Sequence, residues 1–185
     1  RPCRLALEKA IPLDGIIHPS GLTIHEGILL AVSDRVDDQI FRIRLEDGKA
    51  TAIRWLGLEL PSAENGLRFD LEGISSSGQN VAILSETQRC VFDIGTDGRV
   101  VAQHNIEEAS NDGFFAQDGA GPEGLAWSNG RFLIAAERQP VGLIELQLPS
   151  GNLTTYSVKN LPLPVPRLGR PRDLTGLFIR GENVW

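Results

Sequence analysis

At 185 residues, 41% hydrophobic and 23% charged, the chain has enough apolar material for one domain with a sizeable core and the balance of an ordinary soluble protein. A net charge of −6, with basic residues scattered rather than striped, excludes a broad nucleic-acid surface. No apolar run approaches the ~18 residues of a transmembrane segment.

In chain order, segment 1–14 opens with alternating Cys3, Leu5 and Leu7, the pattern of a short strand. The first longer unit, about 15–66, begins at Pro19-Ser20-Gly21-Leu22 and turns at His25-Glu26-Gly27. An apolar strand, Ile28 to Ser33, follows and ends on Asp34. Ile40 to Leu45 alternates, and Asp47-Gly48 closes a hairpin onto Ala50 to Trp55. The second unit, about 67–118, repeats the order: Leu71-Glu72-Gly73-Ile74, Ser76-Ser77-Gly78, Val81 to Ser85 ending on Glu86, Asp97-Gly98, then Val100 to His104. The third, about 119–170, has Pro122-Glu123-Gly124-Leu125, Ser128-Asn129-Gly130, Phe132 to Ala136 ending on Glu137, Leu143 to Leu148 and Ser150-Gly151. A fourth, 171–185, starts with Leu174-Thr175-Gly176-Leu177.

The shared glycines stand 52, 51 and 52 residues apart, and Asp34, Glu86 and Glu137 each lie 13 residues after theirs. Landmarks in phase identify a structural repeat. Four antiparallel strands in about 50 residues predict an all-β fold, a β-propeller of four-stranded blades, with an ordinary sandwich as the alternative. About three blades and the start of a fourth do not close a ring, so the reading predicts one incomplete propeller domain. Segment 1–14 would then be an outer strand that completes the last blade of a longer protein.

Propeller topology places the entry of each first strand and the exit of each second strand on one rim of the channel. That gathers Glu72 with Glu86 and Glu123 with Glu137, with Ser20 and Asp34 as the first unit's pair and Thr175 in the fourth. His18 falls on the same rim. Converging carboxylates repel unless a hard cation such as Ca²⁺, bridging arginines or shared protons offset the charge. Arg35 and Arg138, next to Asp34 and Glu137, make bridging feasible. Glu72 and Glu123 are the residues that would hold a metal. In the structural alternative they hydrogen-bond backbone amides of neighbouring blades.

Three long connections, 57–68, 107–121 and 159–170, reach this rim, where loops on a rigid scaffold carry binding. The middle one, with Asn111, Asp112, Phe114, Phe115 and Asp118, reads as a mobile loop or a ligand cap. Arg167, Arg170 and Arg172 form a basic cluster suited to an anion or to a solvated surface. Cys3 and Cys90 read as two buried thiols, with a disulfide as the alternative, and His18, His25 and His104 lack metal-site spacing.

Asp70-Leu71-Glu72-Gly73-Ile74 with Ile83-Leu84-Ser85-Glu86, Pro122-Glu123-Gly124-Leu125 with Ala136-Glu137-Arg138, and Asp173-Leu174-Thr175-Gly176 together resemble the SdiA-regulated family. The related esterase-like phytase propellers share the Glu-Gly and Ser/Asp-Glu elements. The resemblance implies about six blades, an exported or membrane-anchored (extracytoplasmic) bacterial protein, and Ca²⁺ at the channel. Ser20, where later units carry Glu, departs from a symmetric ring of carboxylates.

Three functions follow as expectations. The first is a propeller that binds a small ligand or Ca²⁺ at the rim through Glu72, Glu86, Glu123, Glu137, Asp34, Arg138 and His18. The second is a metal-assisted phosphoesterase or esterase, with a metal-activated water and a carboxylate base. The third is a non-catalytic scaffold whose loops bind another protein.

Overall fold

A computed structural model describes residues 9–62, 66–115, 121–138, 140–157, 174, 176, 177, 179, 180, 183 and 184. Among them are three consecutive sheets, each built on four antiparallel strands that follow one another in the chain. The first contains β1 (Leu13–Asp14), β2 (Pro19–His25), β3 (Ile28–Ser33), β4 (Val36–Glu46) and β5 (Lys49–Gly57), ordered β1-β5-β4-β3-β2. The second contains β6 (Leu71–Ser77), β7 (Asn80–Ser85), β8 (Cys90–Ile94) and β9 (Val100–Asn105) in sequence order. The third likewise contains β10 (Pro122–Ser128), β11 (Arg131–Ala136), β12 (Gly142–Gln147) and β13 (Asn152–Ser157). Two short paired strands follow, β14 (Ile179–Arg180) and β15 (Asn183–Val184).

The turns explain the hairpins. Glu26-Gly27, Asp47-Gly48 and Asn129-Gly130 all have two successive positive φ angles, near 50° and then near 77°. That is the type I′ turn, whose twist matches the strands it joins. The predicted strands are found, with one shift. Each first strand starts two residues ahead of its shared glycine, at Pro19, Leu71 and Pro122.

β2, β6 and β10 lie side by side as the innermost strands, and the sheets radiate from them face to face. The middle sheet is therefore covered on both sides. Val81 and Ile83 join Leu30, Val32 and Ile40 of the first sheet in one core. Ala82 and Leu84 join Leu125, Phe132 and Ile134 of the third in another. Burial on two faces is why β7 reads as an unbroken apolar run rather than an alternating one.

Two expectations change. The Cys3–Leu7 stretch lies outside the described residues, but Leu13–Asp14 from the same segment runs parallel to β5 at the outer edge of the first sheet. The middle connection, expected as a mobile or ligand-capping loop, begins as a 3₁₀ helix, Glu107–Asp112. Phe114 and Phe115 are buried in the core between the second and third sheets, and Arg89 stacks 5.3 Å from the Phe115 ring centre. Two aromatic anchors remove that part of the connection from ligand capping. Residues 116–120 lie outside the described region.

The shared glycines have a steric role. A Cβ on Gly21 would sit 2.9 Å from the carbonyl oxygen of Glu72 and 3.0 Å from the amide nitrogen of Ile74. On Gly73 it would sit 2.9 Å from the Leu125 nitrogen, and on Gly124 3.0 Å from that of Leu177. Each glycine thus admits the backbone of the next inner strand. Gly73→Ala is expected to cost about 1–3 kcal/mol by overpacking, read as a lower denaturant midpoint at unchanged slope.

Candidate functional site

At one end of the inner strands the same local geometry recurs three times. The pairing register skips a residue between Pro19 and Gly21, between Leu71 and Gly73, and between Pro122 and Gly124. The skipped residues are Ser20, Glu72 and Glu123. A β-bulge bends its strand and re-aims the extra side chain, and here it falls each time on the polar residue at the channel rim.

Backbone hydrogen bonds bring the partner residues to the same place. Asp34 N–H donates to the His18 carbonyl (3.3 Å), Glu86 N–H to that of Asp70 (2.9 Å), and Glu137 N–H to that of Gly121 (3.2 Å). Ser33 Oγ donates to the Ile17 carbonyl at 2.6 Å, and Ser85 Oγ to that of Phe69. Asp37 accepts from the Phe69 amide at 3.1 Å. The entering chain is therefore tethered at the rim before each first strand begins.

Of the residues expected to gather at this rim, Glu72 and Glu86 lie together with Glu123, and Glu72 lies with Asp34 and with Asp70, which spacing does not single out. Carboxylate oxygens of Asp34, Asp70 and Glu72 lie within 4.8 Å of one another, as do those of Glu72, Glu86 and Glu123. Glu72 is common to both groups. Asp70 was not singled out by spacing, yet a signal existed: it stands three residues before its shared glycine, at the position held by His18 in the first unit. Both residues adopt left-handed backbone, φ 53° and 44°, a conformation that Asp tolerates better than most residues.

Crowding raises the proton affinity of these groups. Glu72 is pushed up to about 8 by partial burial, then by the charges of Glu123, Asp70, Glu86 and Asp34. Glu123 rises to about 7 through burial and the charges of Glu137, Glu86 and Asp70, opposed by Arg138. Glu86 rises to about 7 through burial, the Asp70 charge and a hydrogen bond with Asp70. Asp70 is itself raised, first by burial and then by Asp34, against the lowering effect of its bond with Glu86 and of Arg35. The hydrogen bond between them lowers Asp70 and raises Glu86, so Glu86 is the donor when it is protonated.

Two arginines stand beside the flanking acids of the group. Arg138 pairs with the buried Glu137, and Arg35 with Asp34 at 3.6 Å. His18, 65% exposed, stands 3.9 Å from Asp34 at the outer margin of the site. Ser20 Oγ donates to the Leu71 carbonyl, which ties the first sheet to the second in place of a carboxylate. Among the described residues, neither Glu72 nor Glu123 takes a hydrogen bond from a backbone amide. Asp34 Oδ1 is buried without a hydrogen-bond partner.

A small residue makes the arrangement possible. A Cβ on Gly121 would collide with Glu86, 2.1 Å from its Cγ and 2.2 Å from its Oε1. Glu86 therefore lies across the start of the third sheet. Below the acids a cavity of about 210 Å³ is lined by Ser20, Glu72, Glu123 and the shared glycines.

Other candidates fall away from the site. His25 is buried, with Nδ1 2.9 Å from Ser76 Oγ and its ring edge-on to Trp55. His104 pairs with Asp93 at 3.3 Å. Cys90 is a free, buried thiol pushed up to about 12 by burial, which makes it unreactive. Cys3, Thr175, Arg167, Arg170 and Arg172 lie outside the described residues, as does Asp118. No described helix is long and apolar enough to cross a membrane.

The raised carboxyls set a pH dependence for the cation-free chain. Folded Glu72, Glu86 and Glu123 hold protons more tightly than unfolded glutamates, which titrate near 4.5. Their stabilising contribution is full below that value and is lost as pH rises through about 7 to 8. In chelator, the melting temperature is expected to fall by at least about 2 °C between pH 5 and pH 8, and Glu72→Gln to flatten the decline. A wild-type profile without that fall would contradict the crowding.

Comparison with known proteins agrees with this architecture. The crystal structure of Myxococcus xanthus glutaminyl cyclase matches with a TM-score of 0.55 at 15% identity, over 90% of this chain and 59% of that one. The computationally designed Ika4 protein gives a TM-score of 0.49 at 14% identity, over 97% of this chain and 91% of that one. Apo AztD from Citrobacter koseri gives 0.41 at 8%, over 85% and 49%. The first of these likenesses is one of propeller-like fold alone, and the chain spans only 59% of the cyclase. No curated protein sequence matches. The model of the SdiA-regulated family matches residues 63–165, which is more than half of the chain and holds the Glu72–Glu86 and Glu123–Glu137 pairs. On that match, with the carboxylate pairs inside it, the chain belongs to the SdiA-regulated family.

Proposed function

We propose that this chain forms part of an extracytoplasmic β-propeller of about six blades whose channel rim binds Ca²⁺. The observation that carries the reading is the sharing of Glu72 between two groups of three carboxylates, each within 4.8 Å. Such a cluster is costly without a cation, because burial and mutual repulsion penalise every ionised form. A hard divalent ion removes that penalty.

The donor set fits Ca²⁺ better than the common alternatives. All the converging donors are carboxylate oxygens, with no His or Cys among them, which disfavours zinc. Several carboxylates from two or three sheets suit a cation that takes six to eight oxygen ligands in flexible geometry. Mg²⁺ prefers one or two carboxylates and retained waters. The unpartnered Asp34 Oδ1 supplies a further buried acceptor. Asp34, Asp70, Glu72, Glu86 and Glu123 would hold the ion, and Glu137 with Arg138 would set the charge around it. The family resemblance supports the extracytoplasmic location and the blade number.

Excess Ca²⁺ is expected to raise the melting temperature over that in chelator. At 100-fold excess over Kd the gain is about 2.7 kcal/mol, a shift of roughly 5–10 °C for this size. Glu72→Gln should abolish most of it, because both groups lose a ligand. Binding should also be tighter at pH 8 than at pH 6, since the ion displaces protons. Identical melts with Ca²⁺ and with chelator would sink the reading.

A second reading, metal-assisted ester or phosphoester hydrolysis, is favoured by one observation: Glu86 and Glu123 are poised near 7, where a general base works best. It predicts ester or phosphoester turnover that Glu86→Gln and Glu123→Gln each cut by at least about 100-fold while the variants stay folded. Unchanged rates would remove it.

A further inference from the structure

A second cavity lies beyond the shared glycines, counting along the inner strands from the acids. It holds about 320 Å³, a size typical of small-molecule sites. The repeat phase orders its wall into two tiers. One residue after the shared glycines come Leu22, Ile74, Leu125 and Leu177. Three residues after them, Ile24, Trp127 and Ile179 form the second tier. Leu22 and Ile24 are 61% and 67% exposed, and this cavity is what they open onto. Two hydroxyls in the wall are already engaged: Ser75 Oγ accepts from the Trp127 amide at 2.9 Å, and Ser76 Oγ lies 2.9 Å from His25 Nδ1. Most of the surface left on offer is hydrocarbon.

This cavity adjoins the smaller one below the acids. The first-tier residues Leu22, Ile74, Leu125 and Leu177 line both, and the smaller one, of about 210 Å³, is walled on its other side by Glu72 and Glu123. From the glutamates to the second tier is four residues of strand, roughly 10–13 Å. A molecule lying along it meets carboxylates at one end and aliphatic side chains at the other.

We propose that this channel binds a primary aliphatic amine, its ammonium group at Glu72 and Glu123 and its hydrocarbon chain in the apolar cavity. An ammonium carries one positive charge and three donors, which suits two converging carboxylates. The chain gains from every methylene it buries between the tiers. A carboxylate or phosphate head is repelled by the same acids. An ammonium and a metal ion offset the same charge, so the two are alternative occupants of the rim, and the amine site does not rest on the ion.

Isothermal titration calorimetry in chelator, with butylamine, hexylamine and octylamine, tests this. Affinity is expected to rise about fourfold for each added methylene. Octanol should bind at least about tenfold more weakly than octylamine, and octanoate should not bind. Ile24→Asn, at an exposed wall position, should weaken octylamine at least about fivefold, and Glu72→Gln should weaken all three amines. The wild-type series stands whether or not the variants fold. Absence of octylamine binding overturns the proposal, as does octanol binding as tightly as octylamine. An affinity that stops rising at butylamine also overturns it, in favour of a lysine-length arm. Because the chelator removes the ion, octylamine binding by a chain whose melts ignore Ca²⁺ would remove the ion reading alone. Melts that respond to Ca²⁺ in a chain that ignores octylamine would remove this proposal alone.

Discussion

Everything in this molecule depends on how closely one inner strand can approach the next. At Gly21, Gly73 and Gly124 the neighbouring backbone stands where a side chain would begin. Only glycine permits that approach, and the approach brings successive sheets into full face-to-face contact. The two interior cores follow from it, since Ile74 and Leu125 reach the preceding sheet only when the strands are this near. Ser20 Oγ to the Leu71 carbonyl, and the Trp127 amide to Ser75 Oγ, add polar fastenings across the same two seams.

The same constraint creates the electrostatic problem at the rim. Close inner strands bring Glu72 and Glu123 together, and the hairpin ends add Glu86 and Asp34. Bulges at 72 and 123 aim these side chains while leaving the rest of each strand in register. Desolvation is the largest cause of every raised carboxyl, with like charge next in all four. Arg138 on Glu137 and Arg35 on Asp34 offset part of this charge without cancelling the rise. Crowded, partly buried carboxyls of this kind cost the fold stability whenever they are ionised.

Much of this was legible because a repeat converts sequence spacing into position. The phase of Gly21, Gly73, Gly124 and Gly176 predicted four strands per unit, and the glycine-rich turns placed the hairpins almost to the residue. It also placed Glu72, Glu86, Glu123 and Asp34 on one rim. Asp70 escaped notice because its unit-to-unit counterparts differ: His18 in the first unit, Gly121 in the third. Gly121 is the informative exception, for it makes room for Glu86, and no spacing rule signals that a glycine in one sheet serves a side chain in another. Phe114 and Phe115 misled for a different reason. Aromatics in a long connection look alike in sequence whether they cap a ligand or anchor a loop, and only the space between two sheets decides.

The sequence alone determined the strand order, the turn types and the gathering of acids on one rim, because each rests on local periodicity and on residues a few positions apart. Tertiary packing decided which acids crowd closely enough to raise one another's proton affinity, which arginine pairs with which carboxylate, and which faces stay open. Those outcomes depend on distances of a few ångströms between residues about 50 apart in the chain, and burial and charge act across such distances without regard to sequence order.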